Sequence, residues 1–193
     1  DLSKNLNQNL NFILVQLPEL VDAGSKAYEA GYKKISDITL KRLRGASDEY
    51  LSEQGTTCKL DFGFKVFKLD YTNINQWEGS FDNLSDILDN SVDSIKSERT
   101  SEDVLYEVLL KYGLDLTYPI SEHNLAGKTV YDVAFGSLIV CLDDDITRDV
   151  VEGVGKLKQE LDSETTRVVF KDAGFADDSV KVNAIQMLKQ YGV

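Results

Sequence analysis

The sequence predicts an α/β fold in which strands alternate with helices. Three observations lead there. Hydrophobic residues make up 42% of the 193 residues and charged residues 28%, enough apolar content for a packed core rather than a disordered chain. The apolar runs are short, the longest being Leu138-Ile-Val-Cys-Leu142, which is a strand's length and far below the ~20 residues of a membrane-spanning helix. Between the runs lie stretches whose apolar residues recur every three or four positions, as on helices that cover a sheet.

Taken in order, Phe12-Ile-Leu-Val-Gln-Leu17 is a continuous apolar run, the mark of a strand buried on both faces, and Pro18 ends it. Ser25 to Tyr32 and Ser36 to Arg44 read as helices, the second capped by the Ser36 hydroxyl. The stretch from Ser47 to Thr57 either continues that helix or loops. Gly63 to Asp70 alternates Phe64, Val66 and Leu69 with lysines, as a half-exposed strand does. Asn73 to Ser80 is polar and turn-like. Leu84, Ile87, Leu88, Val92 and Ile95 form one helical stripe.

Thr100-x-x-Asp103 has the spacing of a capping box and opens a helix to Tyr112, closed by Gly113. Thr129 to Ala134 and Leu138 to Leu142 are strands joined through Phe135-Gly-Ser137 as a hairpin. Ile146, Val150, Val151, Val154, Leu157 and Leu161 mark an amphipathic helix, Arg167 to Lys171 a further strand. The last helix starts near Asp177–Asp178 and turns Val180, Ala184, Met187, Leu188 and Tyr191 inward. Of these, Val180, Met187 and Tyr191 are also the candidates for an interface, since Met and Tyr are enriched at protein contacts. A core helix is the simpler expectation.

The charge is uneven. Residues 1–77 hold ten acidic and ten basic side chains, and residues 78–193 hold 23 and 11, so the net charge of −12 lies entirely in the second part. Two regions with different tasks are expected, divided after Trp77. The acidic second region repels phosphate and is a poor DNA grip by itself. The cations Lys41, Arg42 and Arg44 suit a helix C-terminus, where they oppose the macrodipole.

Most catalytic signatures are missing. With prolines only at 18 and 119, no D-P-P-Y motif is present, and there is no G-x-S-x-G. Gly153-Val-Gly155-Lys156 departs from a phosphate-binding loop because Val150 and Leu157 stand at the wrong places, and close packing is the better reading of both glycines. His123, the single histidine, reads as a solvated loop residue beside Glu122. Cys58 and Cys141 are too far apart and too few for a zinc site and read as packed, reduced thiols. Asp143, Asp144 and Asp145 follow a strand and could hold Mg²⁺ or a ribose. The favoured reading is that they turn the chain and cap a helix at Ile146.

Certain blocks carry a resemblance. Asn11-Phe-Ile-Leu-Val-Gln-Leu-Pro-Glu19, Ser25-Lys-Ala-Tyr-Glu-Ala-Gly-Tyr-Lys33 and Ile35-Ser-Asp-Ile38 come first. Gly63-Phe-Lys-Val-Phe-Lys-Leu-Asp70 follows with Asn73 and Trp77, then Arg167-Val-Val-Phe-Lys-Asp-Ala-Gly-Phe175 and Asp177-Asp-Ser-Val-Lys-Val-Asn183. In that order they resemble the modification (Mod) subunit of type III restriction-modification systems, which is a site-specific DNA adenine-N6 methyltransferase.

The resemblance implies that residues 1–77 are the distal part of a Rossmann-like methyltransferase sheet, entered just after the loop that cradles S-adenosylmethionine. Residues 78–193 would be a small acidic α/β domain serving Mod dimerisation or assembly with the restriction (Res) subunit. Gln16 or Glu19, near the end of the first strand, would read the cofactor's ribose. The parent would bind S-adenosylmethionine and DNA. The piece by itself would hold no catalytic residue, no tight cofactor site and no DNA grip. The first ten residues do not read as a signal peptide and hold no initiator Met, so a piece of a longer cytoplasmic, bacterial protein is expected. The competing expectation is an independent nucleotide- or Mg²⁺-binding α/β domain built on Asp143, Asp144 and Asp145.

Overall fold

A computed structural model of the chain describes residues 12–54, 63–75 and 95–193. It is a mixed α/β protein, with five α-helices and one four-stranded sheet among the described residues. The chain divides into two compact units, Asp1–Phe67 and Lys68–Val193. The contact boundary thus falls after Phe67, the charge boundary after Trp77.

In the first unit, Ser25 accepts from the Tyr28 amide and caps the short helix α1 (Lys26–Glu29). Helix α2 (Ile35–Gln54) continues past Ser47, the first of the two alternatives the sequence leaves open there. Leu, Lys, Arg, Ala and Glu carry it through Ser47, since each costs little rotamer freedom in a helix. Ser36 therefore sits inside the first turn and is not the cap. Asp37 Oδ2 instead accepts from the Lys34 amide at 3.0 Å. Lys41, Arg42 and Arg44 consequently lie in mid-helix, where the macrodipole offers them nothing.

The expected first strand does not form. Among the described residues, 12–18 join no strand, Glu19 O accepts from Ile35 N, and Leu20 makes only an isolated bridge to Lys34. Gly63–Asp70 forms no strand of the described sheet. A strand exists through its neighbours, and the described part of this unit has no other strand to pair with.

The second unit is organised by β1 (Ile120–Leu125), β2 (Lys128–Val133), β3 (Leu138–Cys141) and β4 (Arg167–Phe170), in that spatial order. Strands β1/β2 and β2/β3 are antiparallel, β3/β4 parallel. The parallel pair requires a crossover, which helix α4 (Arg148–Glu160) supplies. Helix α3 (Ser101–Tyr112) precedes the sheet and α5 (Asp178–Gln190) follows it.

Helix α3 has the anticipated ends. The Thr100 hydroxyl accepts from Asp103 N, the Asp103 carboxylate accepts from Thr100 N, and Gly113 closes the helix in the left-handed conformation at φ 69°. The β2–β3 connection holds Ala134, Phe135 and Gly136 all at positive φ. Asp132, almost fully buried, pins this loop by accepting from the Gly136 amide at 2.5 Å.

Period-two alternation along β3 divides the core. Ile139 and Cys141 face one side with Val130, Ile146, Val150, Val151, Val154, Leu157, Ala184 and Leu188, under α4 and α5. Leu138 and Val140 face the other with Val104, Leu105, Leu109, Val133 and Leu142, under α3. Each such Val, Leu or Ile side chain, where fully buried, contributes roughly 1.5–3 kcal/mol. Arg99 and Asp70 pair at 3.2 Å beneath the α3 entry.

Strand β1 was not anticipated. Its residues, ISEHNL, hold few β-branched or aromatic side chains. The turn after it is Ala126–Gly127, with φ of 50° and 83°, the geometry of a two-residue type I′ hairpin. Ala is a poor occupant of the first position. Replacing exposed Ala126 by Asn is expected to raise stability by about 0.5–1 kcal/mol, read as a Tm increase of about 2–4 °C.

Candidate functional site

In open sheets with parallel strands, ligands gather beyond the carboxyl ends of those strands. Here that end carries Asp143, Asp144 and Asp145 after β3 and Lys171 and Asp172 after β4. The two loops are stitched together. Ile146 N donates to Gly174 O at 2.7 Å, Ala176 N donates to Ile146 O at 3.1 Å, and Ile146 bridges Phe175 in parallel. Gly174 is required there, because a Cβ would stand 2.5 Å from the Asp143 carbonyl oxygen.

The three carboxylates are splayed towards different partners. Asp143 Oδ2 accepts from the Thr129 amide at 2.7 Å, extending the β2–β3 ladder by a side chain. Asp144 accepts from Lys171 Nζ at 2.8 Å; the Lys171 side chain is 8% exposed. Asp145, at φ 54°, lies 3.9 Å from Lys128 Nζ. None of them caps the helix that follows. Helix α4 begins at Arg148 behind Thr147, not at Ile146, and its cap makes no side-chain hydrogen bond. The aspartates tie strands together where a helix-capping role was expected. Among the described residues no three His, Cys, Asp or Glu side chains are grouped to hold a metal ion.

The other candidates lie elsewhere. Gln16 is exposed, its side-chain amide donating to Leu17 O at 3.2 Å. Glu19 is exposed and its carbonyl accepts from Ile35 N at 2.9 Å. Val180 and Met187 pack against the α4/α5 core, and the Tyr191 ring covers Gly155. The exposed apolar side chains of α5 are instead Val182 and Ile185, at 71% and 64%.

His123 is on β1, paired with Val130, and not in a loop. It is half-buried, and its Nε2 is buried without a hydrogen-bond partner. Cys141 is a buried free thiol whose pKa burial pushes up, so it is held as the unreactive thiol. Cys58, Trp77 and the stripe from Leu84 to Val92 lie outside the described residues. Gly153 and Gly155 pack closely as expected: a Cβ on Gly153 would stand 3.3 Å from Leu125 Cβ, and one on Gly155 would overlap the Tyr191 ring.

A polar joint emerges that the sequence reading missed. Glu107 on α3 accepts from Thr72 Oγ1 at 2.5 Å, from Asn73 N at 2.7 Å and from Lys111 Nζ at 2.9 Å. Asn73 Nδ2 donates to Asp103 O, and Lys96 Nζ to Thr72 O. Burial pushes the Glu107 carboxyl up, but these donors outweigh it and hold its pKa at about 2. The only early hint was the density of polar residues around Asn73.

No model of a known protein family matches the chain, and no curated protein matches it. No helix among the described residues is long and apolar enough to cross a membrane.

Proposed function

We propose that this chain is the C-terminal portion of the modification subunit of a type III restriction-modification system. In this reading the parent transfers a methyl group from S-adenosylmethionine to adenine N6. Residues 1–77 complete the distal part of its Rossmann-like sheet, and residues 78–193 serve subunit assembly. The ordered sequence blocks from Asn11 to Asn183 are its starting point.

The observation that carries it is the exposed run Phe12–Leu17, with Ile13 95% and Val15 85% exposed. An apolar, proline-terminated run of strand chemistry left in solvent is unfavourable in a self-sufficient domain. It is the expected state of a strand whose sheet is supplied from elsewhere in a larger protein. The second unit supports the assembly half of the reading: its carboxylates serve the fold, and the α5 residues Val182 and Ile185 remain exposed.

Two measurements test it. Calorimetry of the chain with S-adenosylmethionine is expected to show binding weaker than about 10 μM, roughly −7 kcal/mol, because Gln16 and Glu19 supply only a fraction of a pocket; tighter binding refutes the placement. A parent truncated at Gly79 is expected to lose Mod pairing or co-purification of the Res subunit. Unchanged pairing and unchanged partner binding would refute the assembly role.

A further inference from the structure

The two end strands of the sheet differ in what their outer edges present. On β1 the hydrogen-bonding parity is fixed by two bonds. Ala134 N donates to Pro119 O, so Pro119 and every second residue from it point their backbone groups inward to β2. Thr129, which faces Asn124 across the pair, sends its amide the other way, to Asp143. Glu122 and Asn124 therefore aim their N–H and C=O groups outward. Both residues are exposed, and nothing bonds to either amide.

This edge carries one exposed charge, Glu122, and few of the other usual protections. It has no Pro, no Lys and no bulge, the register with β2 being unbroken over all six pairs. It is also anchored. Ile120 packs on the α3 side of the sheet and Leu125 on the α4 side, so the strand presents a rigid template.

We propose that the β1 edge pairs antiparallel with β1 of a second copy of this chain, about a two-fold axis at His123. The proposal sharpens the assembly role above and rests on that reading. A two-fold normal to the sheet keeps each face on its own side, so only registers that pair residues of equal parity are allowed. Centring on Glu122 sets two carboxylates directly opposite, which is unfavourable. Centring on His123 sets Glu122 opposite Asn124 of the other copy, twice, and these are the residues with outward backbone groups. Each pair exchanges both N–H···O bonds. The side chains complement one another as well. Asn124 Oδ1 already accepts from Gly127 N at 3.1 Å, which leaves its Nδ2 hydrogens to donate to the facing Glu122 carboxylate. Ser121 then faces Leu125, and His123 faces His123, on the α4 side of the sheet.

The interface is small, in the class of weak associations. Sedimentation of the full chain at neutral pH is expected to show a mass rising from 21.6 kDa towards twice that value between about 5 and 200 μM. Asn124→Asp keeps the acceptor for Gly127 N but removes the donor and sets carboxylates opposite one another. It is expected to weaken association about tenfold or more, with an unchanged circular-dichroism spectrum. Adding Glu122→Lys to Asn124→Asp restores complementary pairs and is expected to restore association. Should Asn124→Asp unfold the chain, Glu122→Lys alone tests the same pair and is expected to weaken association.

A wild-type chain monomeric throughout that range overturns the proposal. So does an Asn124→Asp variant that associates like wild type, or a double variant that stays monomeric. None of these outcomes bears on docking of a partner subunit, which the truncation at Gly79 tests separately.

Discussion

Gly155→Val is expected to destabilise the second unit by about 3 kcal/mol or more and to loosen α5 from α4. Gly155 lies inside α4, where glycine costs about 1 kcal/mol relative to alanine, and it stands there because the Tyr191 ring occupies the space of a side chain. The contact involves the Cγ and Cδ2 end of the ring, close to the backbone, so rotation about the side-chain torsions gives little relief. Overpacking a fitted site typically costs 1–3 kcal/mol and occasionally more, and valine adds two methyls beyond the Cβ. The informative comparison is Gly155→Ala in two backgrounds. In the wild-type chain it is expected to lose about 1–2 kcal/mol despite alanine's better helix propensity. With Tyr191→Ala already present, the same change is expected to gain up to about 1 kcal/mol. Urea unfolding of the four proteins measures this sign reversal, and a stabilising Gly155→Ala in the wild-type background would falsify the account.

The second large effect is an acid-sensitive joint. Glu107 has a pKa of about 2 against an ordinary 4.5, and its side chain is only 14% exposed. A carboxyl depressed on folding stabilises the native state above its unfolded pKa and loses that contribution as pH falls. Its share, about 3 kcal/mol at most, is therefore complete above about pH 5 and disappears between about pH 5 and 2. Glu107→Gln keeps the shape but loses the charge that draws in Thr72 Oγ1, Asn73 N and Lys111. It is expected to cost about 2–3 kcal/mol at pH 7 and to flatten the stability profile in the acid range. Asp70 and Asp103, whose pKa values hydrogen bonds also lower, keep titrating in both proteins, so the difference between the two profiles isolates Glu107. Parallel acid limbs for wild type and variant would contradict the assignment.

Elements whose signal is local were legible before the structure. The Thr100–Asp103 box, Gly113 and the stripe from Val150 to Leu157 each satisfy a rule that acts over one or two helical turns, and each appears where expected. The run Leu138–Cys141 is a strand because it can satisfy both faces of the sheet. Phe12–Leu17 has the same chemistry but no ladder. Composition records an appetite for strand neighbours and does not supply them. Strand β1 escaped for the opposite reason: as an end strand it needs few apolar residues, and its identity rests on the Ala126–Gly127 turn and on β2 beside it.

The candidate site was less legible still. Asp143, Asp144 and Asp145 are adjacent in sequence, yet backbone geometry at positive φ and three separate partners pull them apart. Gln16 and Glu19 depend on a sheet that the described residues do not contain. Glu107 meets Thr72 across 35 positions, a separation at which no periodicity speaks.

Strand β3 has dry side chains on both faces and strands on both sides. Solvent reaches the Ile139 and Val140 amides only when both layers come away together, so their hydrogen exchange is a clock for the whole unit. Because that one strand is the shared wall of two cores, a cavity cut on the α3 side at Leu105 should speed deuterium uptake at Ile139 as much as one cut on the α4 side at Val154. The two halves of the unit have no separate melting points to report.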